Sequence, residues 1–239
     1  MWNSLFVDPI INLLLLFHFT MGGNGVLAIT SLTLLIRLTL VPVSMSQHQI
    51  AKRRDAVQGD ISEIRERYHE DKVLRIKEEN KVYRKAGISP ARGCLPLVFQ
   101  MPVLIALNQS IVSIYASIAN LPSDINERVY NWVPSVLGIE MQNIFPLNSE
   151  FLWFDLSSPD TEFWLPLLVT LSFLFQQIYR LLLTPSDAKK TRLNWALQAI
   201  MPVLIGALSL GYPAGLSVYI IASNVFGVVQ MTFFEYIDT

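Results

Sequence analysis

Gly25-Val-Leu-Ala-Ile-Thr-Ser-Leu-Thr-Leu-Leu-Ile-Arg37-Leu-Thr-Leu-Val-Pro42-Val-Ser44 is apolar enough to lie in a membrane, yet it carries one permanent charge. The Arg37 guanidinium stays protonated at any accessible pH. At the centre of a lipid-facing helix it would cost at least ~2.5–3.5 kcal/mol, so it needs a wet cavity, polar partners or a route to the interface. Two readings stay open at this point. Arg37 snorkels to the near end of its helix, or it is a functional charge in a hydrated groove between helices.

Working outward, the rest of the chain is of the same kind. Of its 239 residues, 52% are hydrophobic, mean hydropathy is +0.41, and the apolar residues come in blocks, which excludes an ordinary soluble domain. The expected fold class is an all-α polytopic membrane protein with five transmembrane helices, an N-terminal interfacial helix and a cytosolic helical hairpin. The spans fall at 22–44, 94–118, 162–184, 195–211 and 212–234, each near the ~20 residues a bilayer requires. The turn Gly211-Tyr212-Pro213 makes the last two a tight pair. Residues 1–21 read as an amphipathic helix lying at the outer interface, because their apolar run is short and Asp8-Pro9 stands near its start. No cleavable leader is expected there, since Met1–Asp8 lacks a basic start.

Charge sets the topology. Residues 45–93 hold twelve Lys/Arg, and Lys189, Lys190 and Arg192 lie in the short loop 185–194. The loop 119–161 holds Arg128 against Asp124, Glu127, Glu140, Glu150, Asp155 and Asp160. The positive-inside rule then places both basic loops and the tail 235–239 in the cytosol and the N-terminus outside. The expected location is a plasma (inner) membrane. Within 45–93, Ile50, Val57, Ile61, Ile64 and Tyr68 make one helical stripe. Leu74, Ile76, Val82 and Tyr83 make a second, ended by Gly87-Ile88-Ser89-Pro90. The pair reads as a hairpin zipped by its own stripe. Its basic residues, such as Arg53, Arg65 and Lys77, are expected to engage a ribosome, a targeting factor or anionic headgroups. Trp132, Trp153 and Trp164 suit a membrane–water boundary.

Catalytic motifs are missing. The sequence holds no GxxxxGK[ST] loop, no HExxH pair and no GxSxG elbow, and Cys94 is its one cysteine. No catalytic residue, metal or cofactor is expected, and the protein does not read as an enzyme. Polar residues nonetheless recur inside the spans: Gln100, Asn108 and Gln109 in the second, Gln176 and Gln177 in the third, Gln198 in the fourth, and Ser223, Asn224 and Gln230 in the fifth. Singly, each contributes ~0.6 kcal/mol of helix–helix adhesion. Together with one cation they point to a hydrated cavity, with Gln100, Gln109, Gln177 and Asn224 as candidate lining. A cavity with an uncompensated positive charge favours anionic guests and repels protons and metal cations.

The ordered motifs resemble the YidC/Oxa/Alb family of membrane protein insertases over nearly the whole chain. Leu35-Ile-Arg37-Leu-Thr-Leu-Val-Pro42 resembles the family's first span. Gly87-Ile-Ser-Pro90-Ala-Arg-Gly93-Cys94-Leu95-Pro96-Leu-Val-Phe-Gln100-Met-Pro102 resembles the approach to the second. Phe151-Leu-Trp153-Phe-Asp155-Leu156-Ser-Ser-Pro159-Asp160 resembles the approach to the third, and Met201-Pro202 and Pro213-Ala-Gly215-Leu216-Ser-Val-Tyr219-Ile-Ile-Ala-Ser-Asn224 the final pair. Ile220 stands where the family usually has tryptophan, beside the groove residue Tyr219 that the resemblance implies. The resemblance implies a groove open to cytosol and lipid. A short hydrophilic tail of a nascent membrane protein would cross through it while the client's apolar helix slides into lipid. Its implied partners are nascent membrane proteins and the lipid bilayer, with the ribosome, the signal recognition particle or its receptor and the Sec translocon as further candidates. No nucleic-acid specificity is implied. The competing classes are a small-solute transporter or channel, for which pseudo-symmetric halves would be the signature, and a non-inserting membrane chaperone or assembly factor.

Overall fold

Proline and asparagine chemistry divides the first half of the chain into helices. The computed structural model describes residues 1–88, 95–115, 124–140, 144–183 and 192–238. A π-helical turn, Asn3–Val7, runs into α1 (Asp8–Thr20), with Pro9 in the first turn, where a missing N–H costs nothing. After a turn, Asn24 opens α2 (Gly25–Thr39) by accepting the Leu27 amide on its side chain at 3.1 Å. Pro42 then has no N–H to give, and its ring would clash with a carbonyl one turn back. The helix stops at Leu40 and resumes as α3 (Val41–Ala56), bent by 63°. The segment expected as one span at 22–44 is therefore a bent pair. Its straight part, α2, is only about 22 Å long at 1.5 Å per residue.

The expected stripe from Ile50 to Tyr68 is also divided. Val57 leaves helical geometry (φ −99°, ψ 5°), just before Gly59, a residue that weakens helices by about 1 kcal/mol relative to alanine. Beyond this break lie α4 (Gln58–Arg67), with Ile61 buried, and α5 (Lys72–Lys85), whose first amides are capped by Asp71. These two pack together as a hairpin across Tyr68–Asp71. The terminating motif Gly87-Ile88-Ser89-Pro90 passes partly outside the described residues.

The remainder comprises α6 (Leu95–Ile114), α7 (Ile125–Arg128), α8 (Trp132–Leu137), a two-residue antiparallel ribbon of β1 (Glu150–Phe151) and β2 (Phe154–Asp155), then α9 (Trp164–Leu183), α10 (Arg192–Ser209) and α11 (Ala214–Asp238). The outer loop read from sequence at 119–161 contains two short helices and the ribbon. Asp160, almost fully buried, starts α9 by accepting the Glu162 amide at 3.0 Å and the Leu165 amide at 2.7 Å.

Packing is centred on α11, which lies against both α2 and α9, while α1 lies against α2 and α6. Ile11, Leu14 and Leu15 of α1, Ile29 and Leu32 of α2, Leu107 and Ile111 of α6 and Tyr219 of α11 form the buried centre. The last two helices are joined by a tight turn, as the sequence suggests, but α10 makes its main contact with α9. Gly206 allows this: any side chain there would run into Thr170 Oγ1 and come within 3.0 Å of the Pro166 carbonyl.

Asn3–Thr20, Trp164–Leu183 and Ala214–Ile237 are each long and apolar enough to cross a membrane, and the bent α2–α3 pair makes a fourth candidate. Within α6 and α10, the stretches Gln100–Ile114 and Ile200–Ser209 are also apolar. The N-terminal run, read from sequence as interfacial, thus meets the length and composition of a span once its π-helical turn is counted. It also buries Ile10, Ile11, Leu14 and Leu15.

Candidate functional site

Arg37 stands two residues before the end of α2, and its side chain crosses to α11. Its Nε and Nη2 both donate to Ser223 Oγ, at 3.1 and 2.6 Å. In the other direction, Gln230 Nε2 donates to the Arg37 carbonyl at 3.2 Å, one of the last carbonyls of a helix, which its own backbone leaves short of partners. One turn before Ser223, Tyr219 accepts at its hydroxyl from Gln100 Nε2 of α6, at 2.8 Å. Gly227 leaves space on the same face: a Cβ there would collide with Gln176 Nε2 of α9 and lie 3.7 Å from Arg37 Nη2. Asn224 turns towards α9 and donates to Ser172 Oγ at 2.9 Å. Among the described residues Arg37 is paired with a neutral hydroxyl and with no carboxylate.

The depth of this cluster comes from helical rise. Ser223 is nine residues beyond Ala214, about 14 Å along α11, and Ser172 is eight beyond Trp164, about 12 Å along α9. Both helices are candidate spans, and the hydrocarbon core of a bilayer is about 30 Å thick. The guanidinium is therefore directed sideways, to the middle of a neighbouring helix. It does not run along α2 towards the end of that helix.

The end at which α9 and α11 begin is closed by backbone and buried side chains. Gly215 N donates to the Leu156 carbonyl at 3.0 Å, Ala214 N to the Ser158 carbonyl at 2.8 Å, and Leu156 N to the Ser149 carbonyl at 2.9 Å. Nearby, the buried His18 and Tyr115 meet at 3.2 Å. Asn12, also buried, ties the loop to α1: its Nδ2 donates to the Arg128 carbonyl at 2.8 Å and its Oδ1 accepts from Tyr130 N at 2.7 Å. At the opposite end, Lys52 and His48 of α3 face Glu235 of α11 at 3.1 and 3.4 Å.

Of the residues singled out from sequence, Arg37, Gln100, Tyr219 and Asn224 fall in or beside this cluster. Gln109 does not: it is exposed and accepts from Trp2 Nε1 at 2.9 Å. Gln176, adjacent to Gln177, is the glutamine that reaches the Arg37–Gly227 space. Sequence reasoning missed Ser223 as the arginine's partner, and with it Ser172, Gly227 and Gln230 as a set. The signal was present, because Tyr219, Ser223, Gly227 and Gln230 recur at offsets of four, four and three, one face of a helix. Arg53, expected on the hairpin, lies instead in the last turn of α3, while Lys77 is on α5; both are exposed. Arg65 is held by Glu79 at 2.9 Å, and this hydrogen bond pushes its guanidinium above the ordinary range. Among the described residues no group of three or more His, Cys, Asp or Glu is placed to hold a metal.

Residues 16–238 match the family model described as 60Kd inner membrane protein. The chain is 30% identical over 234 residues to membrane protein insertase YidC 2 of Bacillus anthracis, covering 96% of this chain and 79% of that protein. It is 28% identical over 238 residues to membrane protein insertase YidC of Oceanobacillus iheyensis, covering 96% and 81%. With membrane protein insertase MisCA of Bacillus subtilis it shares 27% over 233 residues, covering 96% and 77%. Helices fit to cross a bilayer, an arginine fixed between two of them and a match spanning nearly the whole sequence converge: the chain belongs to the 60Kd inner membrane protein family, the YidC/Oxa/Alb family of membrane protein insertases.

Proposed function

We propose that this multi-pass membrane protein integrates single-span or small membrane proteins by drawing their short hydrophilic tails to the Arg37 cluster while their apolar helices move into lipid. The carrying observation is the arginine itself. It meets α11 about 14 Å from that helix's start, by helical rise, held by a neutral hydroxyl, so its charge is still available to a guest. Water around Arg37, Gln100, Gln176 and Tyr219 would lower the cost of moving a polar backbone into the bilayer. Partition of the client's apolar helix into lipid supplies the driving force. The closed end where α9 and α11 begin faces outward in this reading, with the N-terminus outside, the C-terminus in the cytosol and the basic hairpin α4–α5 cytosolic. Exposed Arg53 and Lys77 then meet a ribosome, a signal recognition particle or its receptor, or anionic lipid, and Arg65 contributes less because Glu79 already holds it.

The test is reconstitution in liposomes with a small single-span client, read by protease protection. One client is compared with an acidic and with a neutralised tail, by wild type and by Arg37→Ala. A loss confined mainly to the acidic tail supports the reading. Equal losses reject electrostatic attraction and leave Arg37 as a structural element. Arg37→Lys keeps charge but offers a point donor where Arg37 offers a planar fork, so retained insertion by that variant isolates charge as the working property.

A further inference from the structure

Leu152 and Phe163 have left-handed backbones, φ 54° and 61°, a conformation that bulky side chains rarely adopt. Each nevertheless carries a large apolar side chain into the open, with 78% and 66% of its surface exposed. Trp153 and Trp164, the residues next in sequence, are about half exposed. An aqueous surface gives nothing back for such an arrangement, since glycine would fit both turns better and leave no apolar group in water.

Their position identifies what covers them. Phe163 directly precedes α9, a candidate span, and the exposure continues down that helix at Leu167 and Leu168. A bilayer that covers Leu167 must end near Phe163–Trp164, about one helical turn away. Leu152–Trp153 is the tip of the β1–β2 ribbon, whose far end is fixed to the start of α11 by Gly215 N on the Leu156 carbonyl at 3.0 Å. Three residues of extended chain place Trp153 within about 10 Å of that point. Glu150, Asp155 and Glu162 flank the two turns, so attraction to anionic lipid is not the source of binding.

We propose that the ribbon tip Leu152–Trp153 and the turn Phe163–Trp164 form a lipid anchor, inserted at the boundary between headgroups and acyl chains of the leaflet at this end of the molecule. The anchor holds the closing loop down on the membrane through apolar area alone. It rests only on α9 and α11 crossing the bilayer, and not on insertase activity.

The test uses the full chain in a Cys94→Ser background, reconstituted in phosphatidylcholine vesicles with and without phosphatidylglycerol. Nitroxide labels are placed singly through Leu152→Cys and Phe163→Cys, with Asn148→Cys, exposed on the same loop, as the aqueous reference. Collision with oxygen and with a water-soluble nickel chelate reads depth. The anchor predicts loss of nickel accessibility and gain of oxygen accessibility at 152 and 163 relative to 148, unchanged by phosphatidylglycerol. Nickel accessibility equal to that at 148 overturns the proposal. So does spin–spin broadening that disappears on dilution with unlabelled protein, which would assign this face to a second copy. Either failure leaves the insertase reading standing, because insertion is not the readout.

Discussion

Asn12→Leu tests how the loop at the closed end is held. The side chain of Asn12 is 1% exposed and joins α1 to two backbone groups 116 and 118 residues away, the Arg128 carbonyl and the Tyr130 amide. Leucine keeps the volume and removes both bonds. The third partner, the Asp8 carbonyl at 2.7 Å, lies one turn back in the same helix and keeps its backbone hydrogen bond. Two loop groups are left to find water. Tyr130 is partly exposed, so the cost per group falls near the lower end of the usual range, about 1 kcal/mol each and about 2 kcal/mol together. That corresponds to about a thirty-fold rise in local opening. Hydrogen–deuterium exchange of the reconstituted protein reads it directly: residues 124–140 should exchange about thirty-fold faster while 8–20 in α1 stay as in wild type. Unchanged exchange in 124–140 would refute the reasoning. So would an equal acceleration in both segments, because Asn12 would then support α1 itself and not the tie between helix and loop.

Two further outcomes are expected from the helix contacts. Gly227→Val places a branched side chain where Gln176 Nε2 sits, 3.7 Å or less from Arg37 Nη2. It should cost about 1–3 kcal/mol in thermal stability and reduce insertion of clients with acidic tails, whereas Gly227→Ala, which needs only Gln176 to swing aside, should stay near wild type in a detergent melt. At the other end, Glu235→Gln removes the charge that faces Lys52 and His48; these side chains are about one-third exposed or less, and pairs near the surface contribute about 0–1 kcal/mol. Exchange in α3 should rise by up to about five-fold, and the difference from wild type should shrink at high salt.

Much of the fold was legible because it arises from local chemistry. Apolar blocks of bilayer length marked the helices, and charge separated the basic loops from the acidic one; the caps Asn24 and Asp71 emerge only in the structure. Three features were not legible. The bend at Leu40 was hidden because Pro42 lies inside an apolar run whose average hydropathy it barely changes. The break at Val57 was hidden because the apolar spacing continues across it. The ribbon and short helices within 119–161 depend on contacts with α1 and α11, which no local pattern encodes.

The candidate site divides in the same way. By itself, the sequence determined that a permanent cation lies in a membrane segment and must be answered by polar groups, since a guanidinium cannot shed its proton. It also supplied the glutamines, serines and asparagine from which that answer is made. Only the tertiary structure decided which of them answer. Ser223 was chosen over Asn224, and Gln176 over Gln177, because neighbouring residues on a helix point about 100° apart and one of each pair faces Arg37. Gln109 was drawn to Trp2 instead, nine residues along α6 from Gln100. The phase of one helix against another, set by small residues such as Gly227 and Gly206 at the contacts, is a property of packed pairs. No single segment of the chain contains it.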